Sequence, residues 1–423
     1  MNPETTQQYV QILKEELILA LGCTEPIAIA YAAATAREVL GAFPEEITVQ
    51  CSGNIIKNVK GVVVPMTKNM RGIKTAAILG ALGGDAGRKL EVLTTVTPAD
   101  VEQTRELLQT DFCKEALLPG SHCLHIIVSM KAAADTSRVE IRHGHTDIVR
   151  IEKNGAIIEE TLCKGETTET KTDRDIINIA GIVDFANTVD LSLVDELLTR
   201  QITYNTAISD EGLRGAYGTN IGRTLLENFG DDIKVRARAR AAAGSDARMS
   251  GCELPVVINS GSGNQGMTVS LPLIEYAKEL GKTKVELYRA LCVSNLVSIH
   301  QKTKIGKLSA YCGAVSAAAG AGAGIAYLLG GRVEEISLTI INTLANVGGI
   351  VCDGAKPSCA AKIASSLDAA IMGVILAMDG KAFGSGEGLV KCTIEETIAN
   401  FGSMAKLGMR ETDQVILHLM TAD

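Results

Sequence analysis

The run from Ala310 to Gly331 reads Ala-Tyr-Cys-Gly-Ala-Val-Ser-Ala-Ala-Ala-Gly-Ala-Gly-Ala-Gly-Ile-Ala-Tyr-Leu-Leu-Gly-Gly and carries no charge. Two structures compete for such a run. One is a membrane span with small residues on its packing face. The other is a helix at the centre of a globular core. Alanine and glycine are only weakly apolar, and Lys302, Lys304 and Lys307 stand just before the run. The buried central helix is the better reading, and no membrane partner is expected. It makes the chain's last third a helical body closed around one small-residue helix.

Cys312 opens this helix, and two further thiols follow in Val351-Cys352-Asp353-Gly354-Ala355-Lys356-Pro357-Ser358-Cys359. Gly354 and Pro357 make that C-x6-C segment a tight turn whose backbone N–H groups face a bound sulfur or anion. Three thiols with a fourth position open suit a cofactor that also grips a substrate. Upstream, Ser260-Gly261-Ser262-Gly263-Asn264-Gln265-Gly266 follows the strand-like Val256-Val257-Ile258. It is neither a dinucleotide fingerprint nor a P-loop, because no Gly-Lys-Ser/Thr follows. A nest of N–H groups there, with Ser260, Ser262, Asn264 and Gln265, fits a small carboxylate; a plain connector is the competing reading.

From about Asp173 onward the pattern is helical, broken at Gly-rich joints. The N-terminal stretch is helical too. Apolar residues at Tyr9, Val10, Leu13, Leu17 and Leu21 predict an amphipathic helix over Glu4–Leu21, and a second helix starts at Thr24-Glu25-Pro26. Cys23 sits in the joint. Between about Glu46 and Glu160 the character changes. Strands are predicted at Ile47–Cys51, Gly61–Val64 and Leu90–Thr95, and helices at Asn69–Leu82 and Pro98–Leu108. An antiparallel meander follows over His125–Met130, Arg138–His143, Asp147–Glu152 and Ala156–Glu160, with Asn154-Gly155 as a hairpin turn. The expected fold is α+β. Residues 1–45 and 166–423 form a mostly helical catalytic domain, and 46–165 an inserted α/β domain.

The chain has 423 residues, 46% of them hydrophobic, with 42 glycines, no tryptophan and a net charge of −8. Such a balance argues against a nucleic-acid partner, which normally meets a basic face. Met-Asn-Pro-Glu-Thr-Thr begins without a basic segment leading into an apolar one. The eleven cysteines are therefore read as reduced thiols of a cytoplasmic protein. Cys51, Cys113, Cys163, Cys252, Cys292 and Cys392 read as core residues. Cys123 beside His122 has no second ligand pair to make a zinc site.

Five segments together resemble the L-cysteine desulfidase family, related to the iron–sulfur L-serine dehydratase alpha subunit. They are Gly22-Cys23-Thr24-Glu25-Pro26, Ser52-Gly53-Asn54-Ile55-Ile56-Lys57-Asn58, Ser260–Gly266, Ser309–Ala314 and Cys352–Cys359. The resemblance implies a [4Fe-4S] cluster on Cys312, Cys352 and Cys359, with one iron free to act as a Lewis acid. It also implies a proton acceptor at Cys23, whose thiolate a helix N-terminus would favour. A fourth cluster ligand and a core cysteine are the other readings of Cys23. Asn54 and Lys57 read either as contacts to the substrate amine or carboxylate or as a solvated loop. Lys302 and Lys304 read as an anion site or a solvated face, and His300 as a satisfied histidine. The implied activity releases sulfide, pyruvate and ammonia from a small amino acid, L-cysteine, with L-serine dehydration as the alternative and a homo-oligomer possible. A non-catalytic iron–sulfur or thiol sensor is a third reading, although no output module is visible.

Overall fold

In a computed structural model, residues 1–67, 69–119, 124–161, 172–306 and 308–422 are described. His122, Cys123, Cys163 and Lys307 lie outside them. Helix Gly313–Leu328 is at the centre, and Ala314 to Ala326 are all buried. Around it pack helices Gly263–Glu279, Lys284–Ile305, Val333–Val347 and Cys359–Met378. Its glycines set how close they come. A Cβ on Gly320 would lie 2.5 Å from the Ser294 carbonyl oxygen, and one on Gly324 would lie 2.5 Å from Leu273 Cδ2. Glycine here makes room for a neighbouring backbone. One described helix, Cys359–Met378, is long and apolar enough to cross a membrane. Its inner face, including Ile363, Leu367, Ala370 and Val374, is buried among these helices.

The strands are β1 (Leu19–Leu21), β2 (Glu46–Cys51), β3 (Cys113–Leu117), β4 (His125–Ala132), β5 (Asp135–Arg142), β6 (Ile148–Lys153), β7 (Ala156–Glu160) and β8 (Pro255–Val257). Six form a mixed sheet ordered β3-β2-β4-β5-β6-β7, with β2 parallel to β3 and antiparallel to β4. The meander runs as expected, and Asn154 and Gly155 take the positive φ that a tight hairpin needs. Pro98–Leu107 also forms, opened by a Thr97–Asp100 capping box. The fold is thus α+β, mostly helical with one mixed sheet.

Four local expectations change. The first helix stops at Glu16, because Leu19–Leu21 pairs antiparallel with Pro255–Val257. Val63 makes only an isolated bridge to Arg71, and Ala86–Thr95 forms two short 3₁₀ pieces separated by a kink at Lys89–Glu91 instead of a strand. Gly53–Val59 is a short helix, not a loop. β3 went unread because Lys114 to Leu117 are exposed, and an edge strand of that kind lacks the apolar alternation that marks a half-buried one. Helix Thr24–Leu40, grouped by sequence with the helical body, packs on β4, β5 and helix Ile73–Gly83. Its alanines bury it on nearly every side. It is a wall shared by sheet and helices.

Candidate functional site

Two antiparallel crossings bring the thiols together. Cys312 N donates to Ile350 O at 2.9 Å, and Cys352 N donates to Ala310 O at 2.6 Å. The Tyr311–Val351 bridge between them sets Cys312 beside Cys352, and the two side chains hydrogen-bond. The C-x6-C turn then delivers Cys359. Gly354 takes φ +96° and lies against the Lys57 carbonyl, where a side chain would not fit. Lys356 and Lys362 both pair with Asp353 and hold the turn closed. Cys359 is the first residue of its helix, and its Sγ lies 3.7 Å from Gly354 O.

A thiolate is favoured at Cys352 and disfavoured at the other two thiols. The hydrogen bond from Cys312 holds the Cys352 thiol down at about 6 against its burial, helped by the Lys57 and Lys362 ammonium groups and the Gly354 N–H. The same contact, with burial, pushes Cys312 well up. Burial raises Cys359 as well.

Cys23 belongs to the same region. It packs with Val62 and Met249, and Ala355 and Cys359 lie against that group. Its place beside the start of Thr24–Leu40 is as expected, although Cys23 itself and not Thr24 is the N-cap residue; its electrostatics are not as expected. Burial and then the Glu25 charge push its thiol well above the ordinary range. Cys23 Sγ donates to Glu25 Oε2 at 3.0 Å. Burial, with the carboxylate added to it, therefore outweighs the helix-terminus effect expected from sequence. Burial pushes Glu25 up, but His145, Cys23 and Arg248 prevail and hold it at about 2.

The glycine-rich loop joins the two parts. Thr24 Oγ1 donates to Gly261 O at 2.9 Å. Ser260 and Gly261 take positive φ in a turn closed between Asn259 and Ser262. Asn259 is buried on Asn295 and Ser298, and its Oδ1 accepts from Ser260 Oγ at 3.0 Å. Ser262 caps helix Gly263–Glu279. Asn264 Oδ1 accepts from Arg248 Nη1 at 3.2 Å, and Arg248 Nε donates to Gly22 O at 3.0 Å. Gln265 sits against Gly313, next to Cys312, and its buried Oε1 has no hydrogen-bond partner. Asn54 Oδ1 is likewise buried and unpartnered.

Lys57 is fully buried. Its ammonium pairs with Asp413 of helix Arg410–Thr421 and lies 3.4 Å from Cys352 O. Lys302 is buried in the last turn of helix Lys284–Ile305. Lys304 is engaged elsewhere, in an ion pair with Asp175 at 3.0 Å; His300 Nε2 pairs with Glu395 at 2.6 Å, but its buried Nδ1 has no hydrogen-bond partner, so it is only half satisfied. Cys51, Cys113, Cys252 and Cys292 are buried; Cys392 is exposed, in the connection before helix Ile394–Ser403. Sequence reading missed Arg248, Glu25 as a side chain, and His145. Arg248 and His145 reach the site only through tertiary packing and stand in no motif; Glu25 stands in the Gly22–Pro26 segment, where nothing signals that its side chain turns back onto Cys23.

Among the described residues, no three His, Cys, Asp or Glu side chains form a site for a single metal ion. The thiols nevertheless fit a larger iron–sulfur group. Cys312 and Cys352 touch, Cys359 couples to both, and three lysines and two helix N-termini supply positive charge around them.

Fold and site thus define an α+β protein whose thiols converge at the starts of helices Gly313–Leu328 and Cys359–Met378. The chain belongs to the serine dehydratase alpha chain family, whose model matches residues 87–418. Its relatives run the whole length. It is 59% identical to a UPF0597 protein of Lachnoclostridium phytofermentans over 98% of this chain and 99% of the relative. It is 52% identical to UPF0597 protein DSY1109 of Desulfitobacterium hafniense over 98% and 96%. A UPF0597 protein of Treponema denticola is 49% identical over 99% and 98%. Cys23, Asn54 and Lys57 precede the family-matched span; these full-length relatives cover them. At this level the comparisons support a lyase-type enzyme of amino-acid catabolism.

Proposed function

We propose that the protein is a [4Fe-4S]-dependent lyase that splits L-cysteine into sulfide, pyruvate and ammonia. The observation that supports this most is the convergence of Cys312, Cys352 and Cys359 within reach of Cys23 and the 260–266 loop. Those three thiols would hold the cluster. When bound, a cluster with one iron not held by protein supplies a soft Lewis acid for a departing sulfur.

The chain's own residues do the rest. The buried Arg248 guanidinium and the Ser262–Gln265 helix start supply positive charge and N–H donors for the substrate carboxylate. Asn54 Oδ1 and Gln265 Oε1, buried without partners, accept from the ammonium group. Cys23, once its proton has moved to Glu25, takes the proton from Cα. Val62 and Met249 exclude water from its sulfur. The C–S bond breaks with its electron pair going to sulfur, and the aminoacrylate left behind hydrolyses off the enzyme. In this reading the protein works in the cytoplasm on a small amino acid, alone or as a homo-oligomer. Residues 46–165 are an inserted α/β domain beside 1–45 and 166–423, with Thr24–Leu40 as the shared wall.

L-serine dehydration on the same site is the second reading, favoured by the family's description. Anaerobic protein, analysed for iron and sulfide and offered each amino acid, tests both. Sulfide release from L-cysteine faster than pyruvate release from L-serine supports the first, and the reverse order the second. Full activity in metal-free, air-oxidised protein overturns both.

A further inference from the structure

One buried histidine that faces Glu25 has no part in the reaction proposed above. His145 lies in the turn between β5 and β6, far in sequence from every motif, and its side chain is 10% exposed. Its Nε2 is buried with no hydrogen-bond partner. It points at Glu25 Oε1, 3.8 Å away. It also lies against the glycine-rich loop: a Cβ on Gly261 would be 3.2 Å from His145 Cε1. On the other side of the same carboxylate, Oε2 accepts from Cys23 Sγ at 3.0 Å and from Thr24 Oγ1 at 3.1 Å. The three side chains therefore form a line from sheet to thiol: His145, Glu25, Cys23. An unpaired buried polar atom is costly, and this one faces a carboxylate that already holds the Cys23 thiol.

We propose that His145, acting through Glu25, is a positioning residue that stores the Cys23 proton during turnover. This rests on the reading of Cys23 as the base. Cys23 starts as a thiol and Glu25 as a carboxylate. The sulfur's proton passes to Glu25 and on to the His145 ring, leaving a thiolate beside a carboxylate and an imidazolium, with no change in total charge. The thiolate then takes the Cα proton and is a thiol again. The Cα–H electron pair forms the new C=C bond as the C–S pair leaves with sulfur. The proton on His145 goes out with the departing sulfide, which resets the line. The remaining 3.8 Å gap between His145 and Glu25 is of the kind that closes when substrate binds. The other charged group facing this line is Arg248, from helix Ile233–Met249; Asp147 stands two residues after His145 in the same turn.

Kinetics and NMR on the full, anaerobically loaded protein test this. In His145→Asn, kcat on L-cysteine should fall by roughly 10²-fold with KM little changed. The acidic limb of its pH profile should move to higher pH, because Cys23 must then lose its proton to solvent. His145→Gln serves if His145→Asn does not fold. Unchanged kcat and an unmoved limb overturn the proposal. Independently of activity, histidine-labelled protein gives the His145 ring signal, assigned by its loss in the His145 variant. Its pH response should change in both Glu25→Gln and Cys23→Ser. A response that ignores Glu25→Gln overturns the relay. If the ring responds but neither L-cysteine nor L-serine is turned over, the relay stands and the proposed reaction falls.

Discussion

Cys23 and the three clustered thiols differ in what their loss should do. Replacing Cys312, Cys352 or Cys359 with Ala should abolish the visible absorption of anaerobic protein together with turnover. Cys23→Ala should keep the absorption and lose at least about 10²-fold in kcat. Bleaching by Cys23→Ala as complete as that by Cys352→Ala would make Cys23 a ligand. Lys57 and Asp413 offer a second test, because they are unequally buried: the Lys57 side chain is 1% exposed and the Asp413 side chain 19%. Asp413→Ala strands an ammonium group in the interior and should cost about 3–5 kcal/mol in denaturant unfolding. Lys57→Met leaves a carboxylate that still meets water, and should cost clearly less. Equal losses would mean that the pair contributes only through packing.

Among the elements, the central helix is limited by space and not by propensity. Alanine favours an isolated helix over glycine by about 1 kcal/mol. Gly320→Ala should nevertheless destabilise by about 1–3 kcal/mol, because its Cβ would meet the Ser294 carbonyl on helix Lys284–Ile305. A rise in Tm would show that those two helices can move apart. Helix Ile233–Met249 carries a different device. Burial pushes the Asp246 carboxyl up to about 6 from an ordinary 3.8, against N–H donors from Gly222, Ile221 and Thr219. A raised carboxyl binds its proton more tightly in the folded state. Its contribution is therefore whole below about pH 4 and lost as pH rises through 6. Asp246→Asn should remove that fall and be the more stable protein at pH 8, by about 2–3 kcal/mol relative to its difference at pH 4. Parallel pH–stability curves would show that Asp246 does not carry this pH dependence.

At the scale of the molecule, the site draws on distant parts of the chain. Cys23 comes from the wall helix, His145 from the sheet, Arg248 and Asn264 from the middle of the chain, and the thiols from the last third. A cluster held by the folded protein and not by the unfolded chain stabilises the whole by mass action. Loading should therefore raise Tm by several degrees. It should also slow hydrogen exchange at Cys312 and Cys352, whose N–H groups bond across the 310–312 and 350–352 crossing. Protection confined to helix Cys359–Met378 would mean that Cys312 is not a ligand.

Much of this was legible in the order of residues. An uncharged alanine–glycine run surrounded by other helices has few ways to be satisfied, and it became the buried centre. Asn154-Gly155 between alternating strands admits little but a hairpin. Cysteines next to Gly313, Gly354 and Pro357 marked the turns where thiols meet. All of these signals are local: a period, a turn residue, a spacing. What tertiary structure alone decided lies across long gaps. Leu19–Leu21 left its helix because β8 was there to pair with it. β3 formed on the sheet edge without an apolar pattern of its own. Lys57 found its counter-charge on the last helix. Cys23 is a thiol and not a thiolate because it is buried and because Glu25 turns back onto it, and Glu25 stays ionised because His145 and Arg248 arrive from two other elements. Burial and charge at a point in space are sums over everything packed there, and no window of sequence contains those terms.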